Sequence, residues 1–194
     1  MGYPKALLPL GGGTFVGRIL QTLTEAGLTE ARIVLGPDAG RIAPLLRREH
    51  VILLSNPDPG RGQISSMKIA LSDLPPHCEG CLFWPVDQPA VSAQTVRKLV
   101  RLFGESGAMI AMPACSGKHG HPAVFRRDIW AELMRVPFEA GPKPVIAAHA
   151  AETALLACDE AATIEDVDTP EDYLRLTGMT LDQALDKGLR SGPG

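Results

Sequence analysis

The chain has no apolar run approaching the roughly 18 residues that cross a bilayer, no internal repeat and no low-complexity block. A membrane is therefore not an expected partner. Neither sign of charge dominates: 19 Lys and Arg against 22 Asp and Glu leave a net charge of -3, which gives no basic field for a nucleic-acid backbone. The polyphosphate of a small ligand needs only a few local cations and stays open. Cysteines are few, and Cys78, Cys81, Cys115 and Cys158 follow no apolar leader, which predicts reduced thiols in the cytoplasm rather than a disulfide framework. Cys78 and Cys81 have Cys-x-x-Cys spacing beside His77, but no second ligand pair stands at zinc-finger spacing. The pair also precedes an apolar run rather than opening a helix, which argues against a redox motif.

What is present is enough for one core. With 194 residues and 45% hydrophobic side chains, a single domain over residues 1-178 with a C-terminal extension over 179-194 is expected. Val16, Ile19, Leu20 and Leu23 fall at helical spacing between a capping Thr14 and a stopping Gly27. Ile33-Leu35 and Val51-Leu54 are continuous apolar runs, as in strands covered on both faces, and a helix-like stretch over 38-48 separates them. A strand is expected over Met109-Met112, and Ser92 opens a helix with Val96, Leu99, Val100 and Phe103 on one face. Thr169, Pro170 and Asp172 read as N-cap, first helical position and capping-box partner. One more helix over 179-189 and a frayed tail over 191-194 complete the reading. Strands alternating with helices predict the α/β class, a three-layer α/β/α arrangement around a mostly parallel sheet.

Five segments carry candidate chemistry. The run Cys81 to Pro89 is apolar until it stops at Asp87, a carboxylate placed where ligands of open α/β sheets sit. Asp166 and Asp168 form a second acidic site near the end; two carboxylates converging from different strands can share one Mg2+. Plain capping and solvation are the alternative, but they leave the placement of these acids after apolar runs a coincidence. Lys5, stiffened by Pro4, is either a surface lysine or a placed cation. The polar loop Asn56-Ser66 follows a strand and leads into a serine-capped helix, so it suits either a ligand or open solvent. His119 and His121 flank Gly120 ahead of Pro122, which restricts His121 to extended geometry. Gly11-Gly12-Gly13 lacks the spacing of a phosphate loop and is read as a tight turn into a capped helix.

In order along nearly the whole chain, these segments resemble the MobA-like NTP transferases of GT-A-type fold, and within them the molybdenum cofactor cytidylyltransferases. Gly2-x-Pro4-Lys5-Ala6-Leu7-Leu8 is similar to the end of the family's Gly-rich signature, and Pro9-Leu10-Gly11-Gly12 to the turn before its first helix. Asn56-Ser66 is similar to its substrate loop, Val86-Asp87-Gln88-Pro89 to its Asp-Gln-Pro metal site, Gly120-His121-Pro122 to its Gly-His-Pro block and Asp166-Asp172 to its terminal acidic motif.

The resemblance implies a nucleotidyltransferase that moves a nucleoside monophosphate, CMP by preference, from CTP or GTP to the terminal phosphate of a pterin cofactor. Lys5 and Asp87 would be catalytic; Gly2, Lys5 and Asp87 would bind the nucleotide; Asp87 and Asp168 would hold Mg2+; Ser65, Ser66, Gly120 and His121 would line the acceptor pocket. A molybdoenzyme or its chaperone is the implied protein partner. Transfer to another phosphorylated acceptor, such as a sugar or alcohol phosphate, or an inactive nucleotide-binding module are the alternatives. Family members begin with a strand and a Gly-rich turn ahead of the Met-Gly. The fold is accordingly expected to lack its first strand here, with the true start upstream of Met1.

Overall fold

The structure, a computed structural model, describes residues 3–46 and 50–190, with side chains through residue 187. A 3-10 turn at Lys5–Leu7 leads into β1 (Pro9–Leu10), β2 (Gly13–Thr14) and α1 (Phe15–Glu25). Then come β3 (Ala31–Leu35), α2 (Ala39–Ile42), β4 (Val51–Ser55), α3 (Gln63–Asp73), β5 (Gly80–Phe83) and α4 (Ala93–Ser106). The second half holds β6 (Ile110–Cys115), β7 (Lys118–His119), β8 (Ala123–Arg126), α5 (Trp130–Arg135), α6 (Lys143–Ala148), β9 (Thr153–Ala157), α7 (Pro170–Thr177) and α8 (Leu181–Arg190).

Local chemistry explains the helix starts. The Thr14 hydroxyl accepts from the Gly17 N–H at 3.2 Å, and the Ser92 hydroxyl from the Thr95 N–H at 3.2 Å. Thr169 and Asp172 form a reciprocal capping box at α7, with Pro170 in the first turn. Gly11 and Gly12, at φ 58° and 86°, make the two-residue turn of the β1–β2 hairpin, where both central residues need the left-handed region. The stretch expected as one helix over 38-48 is a single α turn continued as 3-10 at Ala43–Leu45, with Pro44 inside it; residues 47 and 48 lie outside the described residues, as does the expected tail.

The sheet is mixed. β3 pairs β4 and β6 pairs β9 in parallel, whereas β8 runs antiparallel between β5 and β6. Alternation along β5, β6 and β8 divides two cores. Cys81, Phe83, Ile110, Met112, Ala123 and Phe125 pack against Ile64, Met67 and Leu71 of α3, and against the 129–145 region. Leu82, Ala111 and Val124 turn the other way, onto Leu99 and Phe103 of α4. The result is the expected three-layer α/β/α class. Among the described residues no ladder joins the β3–β4 pair to the five-stranded sheet. Lys5–Leu7 forms the 3-10 turn, with Leu7 and Leu8 buried in two neighbouring apolar clusters. Ala184 of α8 is buried with Leu8, Phe15 and Tyr173, so residues 181-184 share that core. No helix among the described residues is long and apolar enough to cross a membrane.

Candidate active site

Strand β5 stops at Phe83, two residues before Pro85, which has no N–H to continue the ladder. The chain then folds over itself: the Gln88 N–H donates to the Pro85 carbonyl at 3.3 Å, and the Trp84 indole N–H to the Gln88 carbonyl at 2.9 Å. Asp87 sits on this turn. On the far side of the sequence, Val167 is buried against Leu8, Phe15 and Tyr173, and its N–H donates to the Asp87 carbonyl at 2.9 Å. That bond sets the two acidic segments side by side, so the residue after each valine, Asp87 after Val86 and Asp168 after Val167, presents its carboxylate to a common space.

The occupant of that space is Lys5. Its Nζ lies 3.2 Å from Asp87 Oδ2 and also hydrogen-bonds Asp168 Oδ1, joining segments 82 and 163 residues away. The Lys5 side chain is 33% exposed, Asp87 25% and Asp168 61%, so this is a rim site open to a ligand. Partial burial pulls the Lys5 pKa down, but the hydrogen bond to Asp168 and the charge of Asp87 outweigh it and raise it above the ordinary lysine value. The cation is permanent at neutral pH. Asp168 is held from behind, because its N–H donates to the Asp172 carboxylate at 3.1 Å. The backbone N–H and hydroxyl of Thr169, with help from the Asp168 N–H and Arg175, hold Asp172 itself down to about 2.

A second layer lies beneath. Gln88, 4% exposed, donates from Nε2 to Asp166 Oδ1 at 2.7 Å and ties the two acidic segments together again. His121 lies within electrostatic reach of Asp166 and Asp87; burial lowers its pKa more than those two carboxylates raise it. Its backbone N–H donates to the Thr163 carbonyl at 2.8 Å, the His121–Pro122 bond is cis, and its Nδ1 is buried without a protein partner. Gly120 has a steric reason to be glycine: a Cβ there would stand 2.3 Å from the Thr163 carbonyl oxygen. A cavity of about 170 Å³ lies behind this layer, lined by Gln88, Asp166, Asp172 and Arg175 among others.

The serines of the loop behave differently. Ser65 is 5% exposed; its hydroxyl donates to the Gly62 carbonyl at 2.7 Å and accepts from Asn56 Nδ2 at 2.8 Å. Ser66 accepts from the same Asn56 amide at 3.0 Å. Helix α3 is not serine-capped as expected: Gly62, at φ 78°, holds the cap position and both serines lie in the first turn. Gly2 lies outside the described residues. Gln88 and Thr163 are the structural partners that motif reading passed over. The signal for Gln88 was a polar residue wedged between the motif acid and a proline at a buried strand exit.

Asp87 and Asp168 suit a hard divalent cation, because both direct carboxylate oxygens at one cationic atom and oxygen donors are what Mg2+ and Mn2+ prefer. Among the described residues no cluster of three or more His, Cys, Asp and Glu side chains is positioned to hold a metal. A cation here would therefore keep positions for water and phosphate oxygens, the usual state of Mg2+ in nucleotide enzymes.

Comparison with known proteins gives the family. A family model for the MobA-like NTP transferase domain matches residues 1–154. The chain belongs to that family. A curated relative, nicotine blue oxidoreductase of Paenarthrobacter nicotinovorans, is 31% identical over 182 residues, covering 89% of this chain and 87% of the relative. A probable molybdenum cofactor guanylyltransferase of Rhodopirellula baltica is 33% identical over 114 residues, 58% of this chain and 54% of that protein. Among solved structures, Rv0371c of Mycobacterium tuberculosis H37Rv superposes with a TM-score of 0.80 at 26% identity, covering 92% of this chain and 91% of that one. The same protein in complex with manganese gives 0.77 at 28% identity, covering 92% and 94%. This member of the MobA-like family thus carries the fold class expected of it.

Proposed function

We propose that this chain transfers a nucleoside monophosphate, CMP in our reading, from an NTP to the terminal phosphate of molybdopterin or molybdenum cofactor, releasing pyrophosphate. The observation that carries the proposal is the meeting of Lys5, Asp87 and Asp168 at the exit of β5 in a MobA-like chain. The preference for CTP rests on the Asp87-Gln88-Pro89 form of the motif, and GTP is the competitor that the guanylyltransferase relative favours.

A phosphate monoester has its second pKa near ~6, so the acceptor is already largely ionised at neutral pH and needs no general base. One of its oxygens forms a bond to the α-phosphorus while the bond to the β-phosphate oxygen breaks, and pyrophosphate leaves with its electron pair. The demand on the protein is charge neutralisation between two polyanions. Asp87 and Asp168 would hold Mg2+, or Mn2+ in its place, which when bound supplies a Lewis acid for phosphate oxygens. Lys5 would follow the β- and γ-phosphates and neutralise the departing charge. His121, kept neutral by burial, and Gly120 would line the acceptor side, with Ser66 at the opposite loop. Ser65 supports that loop from within through Asn56 and Gly62.

The test is pyrophosphate release with Mg2+, CTP or GTP, and a phosphorylated pterin or a sugar or alcohol phosphate. Acceptor-dependent release that Asp87→Ala abolishes, with the melting temperature kept, is the expected result. Release that survives Asp87→Ala would refute the metal assignment. The alternative reading is an inactive nucleotide-binding module, in which the crevice binds a nucleotide without splitting it. Tight Mg-CTP binding with no pyrophosphate from any acceptor would select that reading.

A further inference from the structure

Lys5 fills the position between Asp87 and Asp168 where a divalent cation would sit, and it does so with a side chain that can leave. Its backbone is fixed: Pro4 precedes it, the Leu7 N–H donates to the Pro4 carbonyl at 2.9 Å and the Leu8 N–H to the Lys5 carbonyl at 3.1 Å, and Leu7 and Leu8 are 7% and 0% exposed. The ammonium itself is at the end of a four-carbon stem on an open rim, so its charge moves while its anchor stays. Two carboxylates and one ammonium leave one negative charge uncompensated. A divalent cation in the same seat would neutralise the pair fully, but only after two charge-assisted contacts to Lys5 are broken and the ammonium is set beside a second cation. An incoming triphosphate removes that conflict, since its oxygens take over the ammonium.

Resting on the function proposed above, we infer that Lys5 is a resident stand-in for the divalent cation: it keeps free metal out of the Asp87–Asp168 seat until a nucleoside triphosphate draws it away. Metal and nucleotide then bind as a coupled pair, each raising the affinity for the other by the same factor, as linkage requires. The crevice is protected from idle metal loading, and the ammonium arrives on the phosphates by the same displacement that opens the seat.

The experiment measures Mn2+ binding by loss of the free-ion electron paramagnetic resonance signal, on the wild type and Lys5→Met, each without nucleotide and with an α,β-methylene CTP analogue. Binding with the analogue is scored after subtracting its own Mn2+ complex. Arg175→Met, which removes a cation near the acids but not one in the seat, controls for general charge. Mn2+ alone is expected to bind Lys5→Met at least about tenfold more tightly than wild type, within the usual range of site-to-site coupling. The analogue should tighten Mn2+ binding to the wild type by a larger factor than in Lys5→Met, where only metal–phosphate contacts couple the two. Equal Mn2+ affinity of wild type and Lys5→Met without nucleotide, or the same gain in Arg175→Met, overturns the stand-in. Failure of every protein to bind Mn2+, with or without the analogue, instead overturns the metal reading on which it rests.

Discussion

Gly120→Ala isolates one contact. The added Cβ would stand 2.3 Å from the Thr163 carbonyl oxygen and 2.9 Å from its carbon, inside the 3.0 Å that real Cβ contacts respect, so the two segments must part by at least 0.7 Å. Neither side yields easily. Thr163 is fully buried, its hydroxyl donates to the Glu160 carbonyl at 2.8 Å, and the Glu160 carboxylate accepts from the Ser92 N–H at 2.6 Å. Gly120 donates to the Pro113 carbonyl at 2.9 Å, and the His121 N–H bond to Thr163 at 2.8 Å would be stretched by the same displacement. Overpacking of this kind costs about 1–3 kcal/mol, and a backbone-on-backbone clash belongs in the upper half of that range. For a chain of this size each kcal/mol lowers the melting temperature by roughly 2–4 °C, so a drop of about 4–12 °C is expected by calorimetry. Because His121 moves with residue 120, acceptor KM in the pyrophosphate assay should rise more than nucleotide KM. A variant melting within a degree of wild type, with unchanged acceptor KM, would refute the reasoning.

Gln88→Met removes the strut to Asp166 at constant volume; losing a half-buried hydrogen bond whose acceptor Asp166 stays in solvent should cost about 0.5–1.5 kcal/mol in denaturant unfolding and weaken Mn-CTP binding measured by calorimetry. Thr169→Ala breaks the capping box of α7 and should cost about 0.5–2 kcal/mol by urea titration, with a loosened Asp168 seen as weaker metal binding. His149 lies 3.0 Å from Glu132 and 2.9 Å from Glu152, and hydrogen bonds to Glu152 and then Glu132 raise its pKa above the ordinary value. A raised folded pKa contributes stability that is full below the unfolded value near ~6.5 and is lost as pH rises through the folded value. His149→Gln should therefore lower the melting temperature at pH 6 and leave it nearly unchanged at pH 9; surface pairs of about 0.2–1 kcal/mol make the shift at pH 6 a few degrees at most.

Much of the fold was legible where one segment carried its own signal. α1, α4 and α7 announce themselves through caps and apolar spacing, and the structure places them at Phe15–Glu25, Ala93–Ser106 and Pro170–Thr177. β8 and β9 did not. Ala123–Arg126 is four residues long behind a proline and becomes a strand through its ladders to β5 and β6, whereas Thr153–Ala157 becomes one by lying parallel on β6. Both are properties of partners far away in the chain. The antiparallel β8 that makes the sheet mixed was hidden for the same reason. At the site, motif order singled out Lys5, Asp87 and Asp168, but not that the lysine bridges the acids. Nor did it reveal that Ser65 is engaged inside its own loop. Side-chain hydrogen bonds across 82 to 163 residues leave no periodicity to read.

Whether the two carboxylates act on one cation is settled most directly by a double-mutant cycle on Asp87→Asn and Asp168→Asn, read as the dissociation constant of Mn-CTP. A shared cation predicts strong non-additivity, the second substitution costing far less in the background of the first than alone. Losses that add within about 0.5 kcal/mol would mean two independent sites, and would contradict the account.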